Sequence, residues 1–245
     1  MNSENNEGKA AVVTGASSGI GLGVTQALLQ RGYRVVANSR TITKSTELKP
    51  TGDLILVDGD ISRRETALKV AEAAIHHYGR IDLLLNVAGI YVSKPFTDYT
   101  PEDFELMIGT NIAGYFFITQ QVVPHMRQQK SGHIVSFATV LTDQPLARAQ
   151  ISLPVLTKST IPAFSRALAM EYVADGIRFN TISPGVVDTP MHAKDDHEAL
   201  KKLSPAARLV QTSEIVDAVF YLESATMVNG ENIRIDGGSH AGAKW

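Results

Sequence analysis

The stretch Ala10-Ala11-Val12-Val13-Thr14-Gly15-Ala16-Ser17-Ser18-Gly19-Ile20-Gly21 decides the fold. Its first five residues form a short, almost wholly apolar run. A strand apolar at consecutive positions is buried on both faces. Glycines then stand at 15, 19 and 21, and residues 20–29 read as a helix that Arg31-Gly32 stops. Alone, Gly-x-x-x-Gly-x-Gly is a weak signal, because glycines punctuate many turns. Between a strand and a helix it has a physical meaning. Gly15 allows the tight turn, Gly19 lets the backbone approach a pyrophosphate, and Gly21 permits close packing of helix on strand. Ser17, Ser18 and Ile20 complete a loop whose amides and helix dipole favour a phosphate charge.

The same alternation continues along the chain. Further strand-like runs lie at 34–38, 53–57, 81–86, 133–138, 177–182 and 232–235. Between them, residues 65–78 are Ala-rich and helical and end at Gly79. Thr100-Pro101-Glu102-Asp103 opens a long helix reaching about Gln129, with Thr100 at the N-cap, Pro101 in the first helical position and two acids in the first turn. Doubly apolar strands alternating with helices imply a parallel sheet covered on both sides. The expected fold is α/β: a single doubly wound Rossmann domain over 1–245, with about seven parallel strands. Its ligand would lie beyond the carboxyl ends of the strands, at the switch in strand order. Residues 1–8 are expected to be a flexible N-terminus and about 186–210 a substrate lid.

Composition narrows the classes. The 245 residues are 44% hydrophobic and 20% charged, which excludes a disordered chain. A formal charge of -2 gives no global attraction for nucleic acid or an anionic membrane. The absence of cysteine removes disulfides and thiolate chemistry and fits a reducing compartment. The polar opening MNSENNEGKA shows no signal-peptide core, and no apolar run reaches the roughly 18 residues of a membrane span. A cytoplasmic protein is therefore expected. The seven histidines are scattered and suggest no metal site.

Several ordered motifs resemble the short-chain dehydrogenase/reductase family in its single-domain form. They are Thr14 to Gly21, Asp60-Ile61, Asn86-Val87-Ala88-Gly89, Asn111, Lys158, Asn180, Pro184 to Met191 and Asp236-Gly237-Gly238. The resemblance implies a nicotinamide dinucleotide. Asp60 would contact the adenine amine and Ile61 its face. Asn86, Ala88 and Gly89 would line the ribose wall, with Val87 departing from a commoner asparagine. Pro184, Gly185 and Val187 would also touch the cofactor; Val186 to Thr189 would pass the nicotinamide, with Thr189 near its carboxamide. The second strand ends Asn38-Ser39-Arg40, so Ser39 stands where NAD-binding folds usually place an acid. A guanidinium binds a 2′-phosphate through charge-assisted hydrogen bonds, so Arg40, with Lys44 nearby, favours NADP(H) over NAD(H).

The family reduces carbonyls with Asn, Ser, Tyr and Lys. Asn111 and Lys158 match, and the Ser position falls on Thr139, which keeps a hydroxyl. The Tyr position, four residues before Lys158, holds Pro154, and no tyrosine lies between Thr139 and Lys158. That segment is also slightly longer than usual in the family. Pro162 is a second anomaly, because mid-helix proline costs about 3 kcal/mol. Either Ser152 caps a helix with Pro154 in its first turn, or the helix starts near Pro162 and leaves Lys158 on a loop. The first keeps the ribose role of Lys158. Tyr91 is the best substitute acid; His192, Asp143 and Ser152 are weaker.

Three functions remain open. One is an NADP(H)-dependent oxidoreductase acting on a small carbonyl or alcohol through Asn111, Thr139 and Lys158. Another is a redox-silent NADP(H)-binding sensor or partner protein. The third is a non-redox enzyme using the same pocket. By resemblance, the helices carrying Asn111 and Lys158 would pack against another subunit, giving a homodimer or homotetramer.

Overall fold

A computed structural model describes residues 8–145 and 149–242. The expected flexible N-terminus lies outside these except for Gly8, as do three residues of the loop before Lys158. Seven parallel strands form one sheet: β1 (Ala10–Thr14), β2 (Arg34–Ser39), β3 (Leu54–Asp58), β4 (Leu83–Asn86), β5 (Gly132–Phe137), β6 (Ile177–Pro184) and β7 (Asn232–Ile235). Their order is β3-β2-β1-β4-β5-β6-β7. The order reverses between β1 and β4, so a crevice opens beyond Thr14 and Asn86.

Alternate residues of each strand feed two cores. Ala11, Val13, Leu83, Leu85 and Val135 pack with α1 (Gly19–Gln30) and with α7 (Thr212–Ser224) on one face. Ala10, Val12, Leu84 and Ile134 face α2 (Arg64–Tyr78) and α4 (Gly114–Gln129) on the other. This double burial is why the strands carry no polar alternation. Gly79 ends α2 with φ 72, a conformation that favours glycine.

Two helices differ from the sequence expectation. The long helix is interrupted. α3 (Pro101–Ile108) begins with a full capping box between Thr100 and Asp103, then passes through one π-helical turn, Gly109–Ala113, into α4. Asn111 sits in that π turn, which re-aims its side chain. Around Pro154 the first of the two geometries holds. α5 (Ser152–Glu171) is one helix that continues through Pro162, with Lys158 on it. Ser152 is not its cap, however: it is the first helical residue, and Ile151 occupies the cap without a side-chain bond. Pro154 is tolerated in the first turn because the amide it lacks has no intrahelical partner there. The segment 186–210, expected to be a lid, carries a 3-10 turn, Pro190–His192, and α6 (His197–Lys201), and is tied near its ends by a bridge between Val187 and Val210.

Candidate active site

A cleft of about 630 Å³ runs along the carboxyl ends of the strands. It is bordered by Gly15, Ser17, Ser18, Gly19, Ile20 and Gly21 at the first turn, and by Ser39, Arg40, Asp60 and Ile61 at one end. Ala88, Gly89, Tyr91, Thr139, Lys158, Pro184, Gly185, Val187 and Thr189 border the rest. The expected cofactor residues other than Asn86 and Lys44 all border it. Asn86 and Asn111 border a separate small void behind it instead.

The first turn is built for close approach. A Cβ on Gly21 would stand 2.1 Å from the Gly15 carbonyl oxygen, and one on Gly15 would stand 2.8 Å from the Ala88 backbone. Both positions exclude any side chain. Ser18 caps α1 without a side-chain hydrogen bond, and no acid lies in its first turn. The helix thus presents unsatisfied amides and a positive dipole end to the cleft. A pyrophosphate fits this cradle.

At the far end, the buried Asn38 donates to the Val57 and Gly59 carbonyls and fixes the loop that carries Asp60. Asp58 pairs in register with Ser39, yet its carboxylate accepts from the Thr43 amide and hydroxyl. Those bonds, the hydroxyl first, hold its pKa below the usual carboxylate range. The nearest acid is therefore committed to a turn, while Arg40 is exposed on the cleft. Lys44 does not border the cleft.

The Lys158 ammonium donates to the Phe137 carbonyl at 2.8 Å. Burial pushes its pKa down to about 8. Gly89 leaves room for it: a Cβ there would lie 2.8 Å from Nζ. Asn111 accepts from the Ile90 amide at 2.9 Å and donates to the Ile90 carbonyl and to Thr157 Oγ1, both at 3.0 Å. It pins the loop after β4 to α5. Asn86 donates to Thr119 and Ser136, while its Oδ1 is buried with no protein partner. Asn86, Asn111 and Lys158 border the small void of about 10 Å³, room for one water. Thr139 starts the turn after β5, and its hydroxyl oxygen accepts weakly from the Leu141 amide at 3.4 Å.

Pro154 is buried and does not border the cleft. Asp143 is spent on an ion pair with Arg234 at 2.6 Å. Asn180 lies in β6, bonded to His133 and Val228, away from the site. Sequence reasoning missed the cleft contributions of Asn38, Arg208, Ser239 and Gly242. The last two come from the C-terminal turn, where Ser239 Oγ donates to Leu203 O at the base of the lid. No local pattern signals a contact between segments so far apart in the chain.

A single parallel sheet with a phosphate cradle at its switch point defines a dinucleotide-binding α/β protein. The chain belongs to the short-chain dehydrogenase/reductase family: the profile described as enoyl-(acyl carrier protein) reductase matches residues 15–240. It is 34% identical to D-threitol dehydrogenase of Mycolicibacterium smegmatis, over 95% of this chain and 93% of that one. Gluconate 5-dehydrogenase from Burkholderia cenocepacia, solved with NADP and tartrate, superposes with a TM-score of 0.88 at 26% identity, covering 97% of each chain. The 3-ketoacyl-(acyl-carrier-protein) reductase from Brucella melitensis, solved with NADH, gives 0.87 at 25% identity, covering 96% of this chain and 99% of that one.

Proposed function

We propose that the protein is an NADP(H)-dependent oxidoreductase that interconverts a small carbonyl compound and its alcohol. The observation that carries this reading is the convergence of the Gly15 to Gly21 cradle, Thr139 and Lys158 on one cleft. The first turn and the start of α1 would hold the pyrophosphate. Arg40 and Ser39 would hold the 2′-phosphate, Asp60 and Ile61 the adenine, and Lys158 the nicotinamide ribose. When bound, the cofactor supplies or accepts hydride. Thr139 would donate a hydrogen bond to the carbonyl oxygen, stabilising charge that develops there. Asn111 keeps the Ile90 backbone and α5 in register, so Lys158 stays in place.

Related structures contain either nucleotide, so the preference rests on this chain's own residues. Calorimetric titration is expected to show tighter NADPH than NADH binding. Arg40→Ala should lose about 1.5–3 kcal/mol toward NADPH, the worth of a charged hydrogen bond. Tighter NADH binding in the parent protein overturns the assignment. Activity is tested by NADPH absorbance across a graded panel of ketones. A second reading, a redox-silent NADP(H)-binding protein, is favoured by Pro154, which has no ionisable group where the family carries its phenol. NADPH binding with no turnover of any carbonyl or alcohol selects it.

We also infer self-association. Leu156 and Met170 on α5 and Phe116 on α4 are exposed, and Phe116 stacks on Phe164 across these helices. Sedimentation should show a homodimer or homotetramer that Met170→Glu weakens. Among the described residues no helix is long and apolar enough to cross a membrane, and a cytoplasmic location belongs to the proposal.

A further inference from the structure

The family's phenol is absent, and the residues on the cleft differ in their fitness to replace it. Tyr91 borders the cleft, but burial, the neighbouring Tyr99 and the charge of Asp195 together push its pKa up. A phenol is a more effective acid near neutral pH when a cation lowers its pKa. No cation figures among the groups that shift Tyr91, and Lys158 donates to Phe137 O. Tyr91 is thus shifted away from the task.

His192 has the arrangement that Tyr91 lacks. It ends the 3-10 turn of the lid and borders the cleft. Its Nδ1 lies 2.7 Å from Asp195 Oδ2. Its backbone is held on both sides: the amide donates to Thr189 O at 3.0 Å, and the carbonyl lies 3.0 Å from His197 Nε2 and accepts from the Asp195 amide at 3.1 Å. With Nδ1 on the carboxylate, Nε2 is the nitrogen left for a ligand. The imidazole side chain is 19% exposed and the Asp195 side chain 49%. The ring is therefore sheltered while its partner reaches solvent, which gives a route for proton exchange.

We propose that His192, oriented by Asp195, is the acid–base residue of this active site, taking the place of the phenol lost at Pro154. The inference rests on the oxidoreductase reading above. In reduction, hydride reaches the carbonyl carbon and the C=O π pair moves onto oxygen. The Nε2–H bond of the imidazolium breaks, its proton forms the new O–H bond, and the electron pair remains on Nε2. The neutral ring then regains a proton from water at the Asp195 rim. Oxidation runs the same transfers backwards, with neutral His192 accepting the hydroxyl proton. Asp195 is a positioning residue: its carboxylate holds Nδ1 and so fixes the tautomer and the ring orientation. Other groups that bear on the titration are His197 on α6, Tyr91 from the loop after β4, Lys158 from α5, and Lys202 and Arg208 on the lid, the last paired with Glu214.

Three measurements on the full chain test this. NADPH affinity is followed by fluorescence, turnover is followed across pH with trifluoroacetophenone and unactivated ketones, and the His192 tautomer is read by nitrogen NMR with and without NADPH. His192→Gln is expected to keep NADPH affinity within about twofold and to lower kcat by about 10²–10⁴, the usual worth of general acid catalysis. Asp195→Asn should loosen the preference for the Nδ1–H tautomer and lower kcat, with KM and NADPH affinity little changed. Parental kcat and an unchanged pH profile in His192→Gln would falsify the inference while leaving the oxidoreductase reading intact. Loss in Tyr91→Phe with His192→Gln at the parental rate does the same. A tautomer and a kcat both indifferent to Asp195→Asn remove the pair. A parent protein that binds NADPH yet turns over none of the ketones overturns both readings together.

Discussion

Lys158 is held in the folded protein against its preference for water. Its pKa falls from 10.5 to about 8 because burial penalises the ammonium, a difference on the order of 3 kcal/mol. The unfolded chain binds the proton more tightly over that interval. Stability therefore rises as pH climbs from about 8 toward 10.5, and the penalty is fully present below 8. Lys158→Met should accordingly raise the urea midpoint at pH 7, and the gain should shrink above pH 8. The same variant should weaken NADPH binding by about 1–3 kcal/mol, the scale of a charged hydrogen bond. A lower urea midpoint at pH 7 sinks the account. The identity of Lys158 was legible from its motif. Its isolation was not, because that depends on Gly89 and Phe137, which meet it only in the folded chain. His192 was visible as a lid residue, but its pairing with Asp195 depends on how the turn closes.

The loop between β1 and α1 was legible because three glycines at fixed spacing leave few alternatives, and the contacts show why. At Gly21, an added Cβ meets the Gly15 carbonyl at 2.1 Å, and backbone cannot yield as a side-chain tip does. Gly21→Ala should displace the start of α1, cost about 1–3 kcal/mol or more in urea unfolding, and abolish tight NADPH binding. Binding at the parental level would show that the cradle tolerates the shift. α5 presents the opposite case. Two prolines made its start ambiguous in the sequence, since propensity disfavours proline within a helix. Packing overrides that preference: Leu153, Thr157, Ile161, Ser165 and Leu168 all turn into the protein along one continuous helix. Pro162→Ala restores an amide facing the Lys158 carbonyl and should stabilise the protein by up to about 3 kcal/mol. Lys158 lies before Pro162 on the same helix, so its register does not depend on that residue and NADPH affinity should hold. A loss of stability would mean that the ring of Pro162 fills space an alanine leaves empty. The π turn at Asn111 had no sequence signal beyond its flanking glycines.

β5 joins two electrostatic sites at opposite ends of the sheet. At its carboxyl end, Phe137 O accepts from Lys158. At its start, the buried His133 lies 3.0 Å from Glu223 through Nδ1 and 3.1 Å from Asn180 through Nε2. Burial is the largest cause that pushes the His133 pKa below its ordinary 6.5. Its unfolded form thus binds the proton more readily, and stability present above pH 6.5 is lost as pH falls through the interval below it. Glu223 acts in the same sense: burial raises its pKa, but the His133 hydrogen bond and nearby cations outweigh this, leaving it below the usual carboxylate range. Acid should therefore unfold the protein from the end of the sheet remote from the cleft. His133→Gln should flatten the loss of stability between pH 7 and 5, whereas Lys158→Met should raise stability below pH 8 and remove its rise between pH 8 and 10.5. Phe137 lies four residue steps along the strand from His133, about 13 Å at the rise of a β-strand. Sites so spaced, with no shared partner, add within about 0.5 kcal/mol. The double variant, measured by urea unfolding across pH, is expected to sum the two single effects at every pH. A larger departure would mean that β5 transmits strain from one end to the other, and that protonation at the base of the sheet reaches the cofactor site through the Phe137 carbonyl.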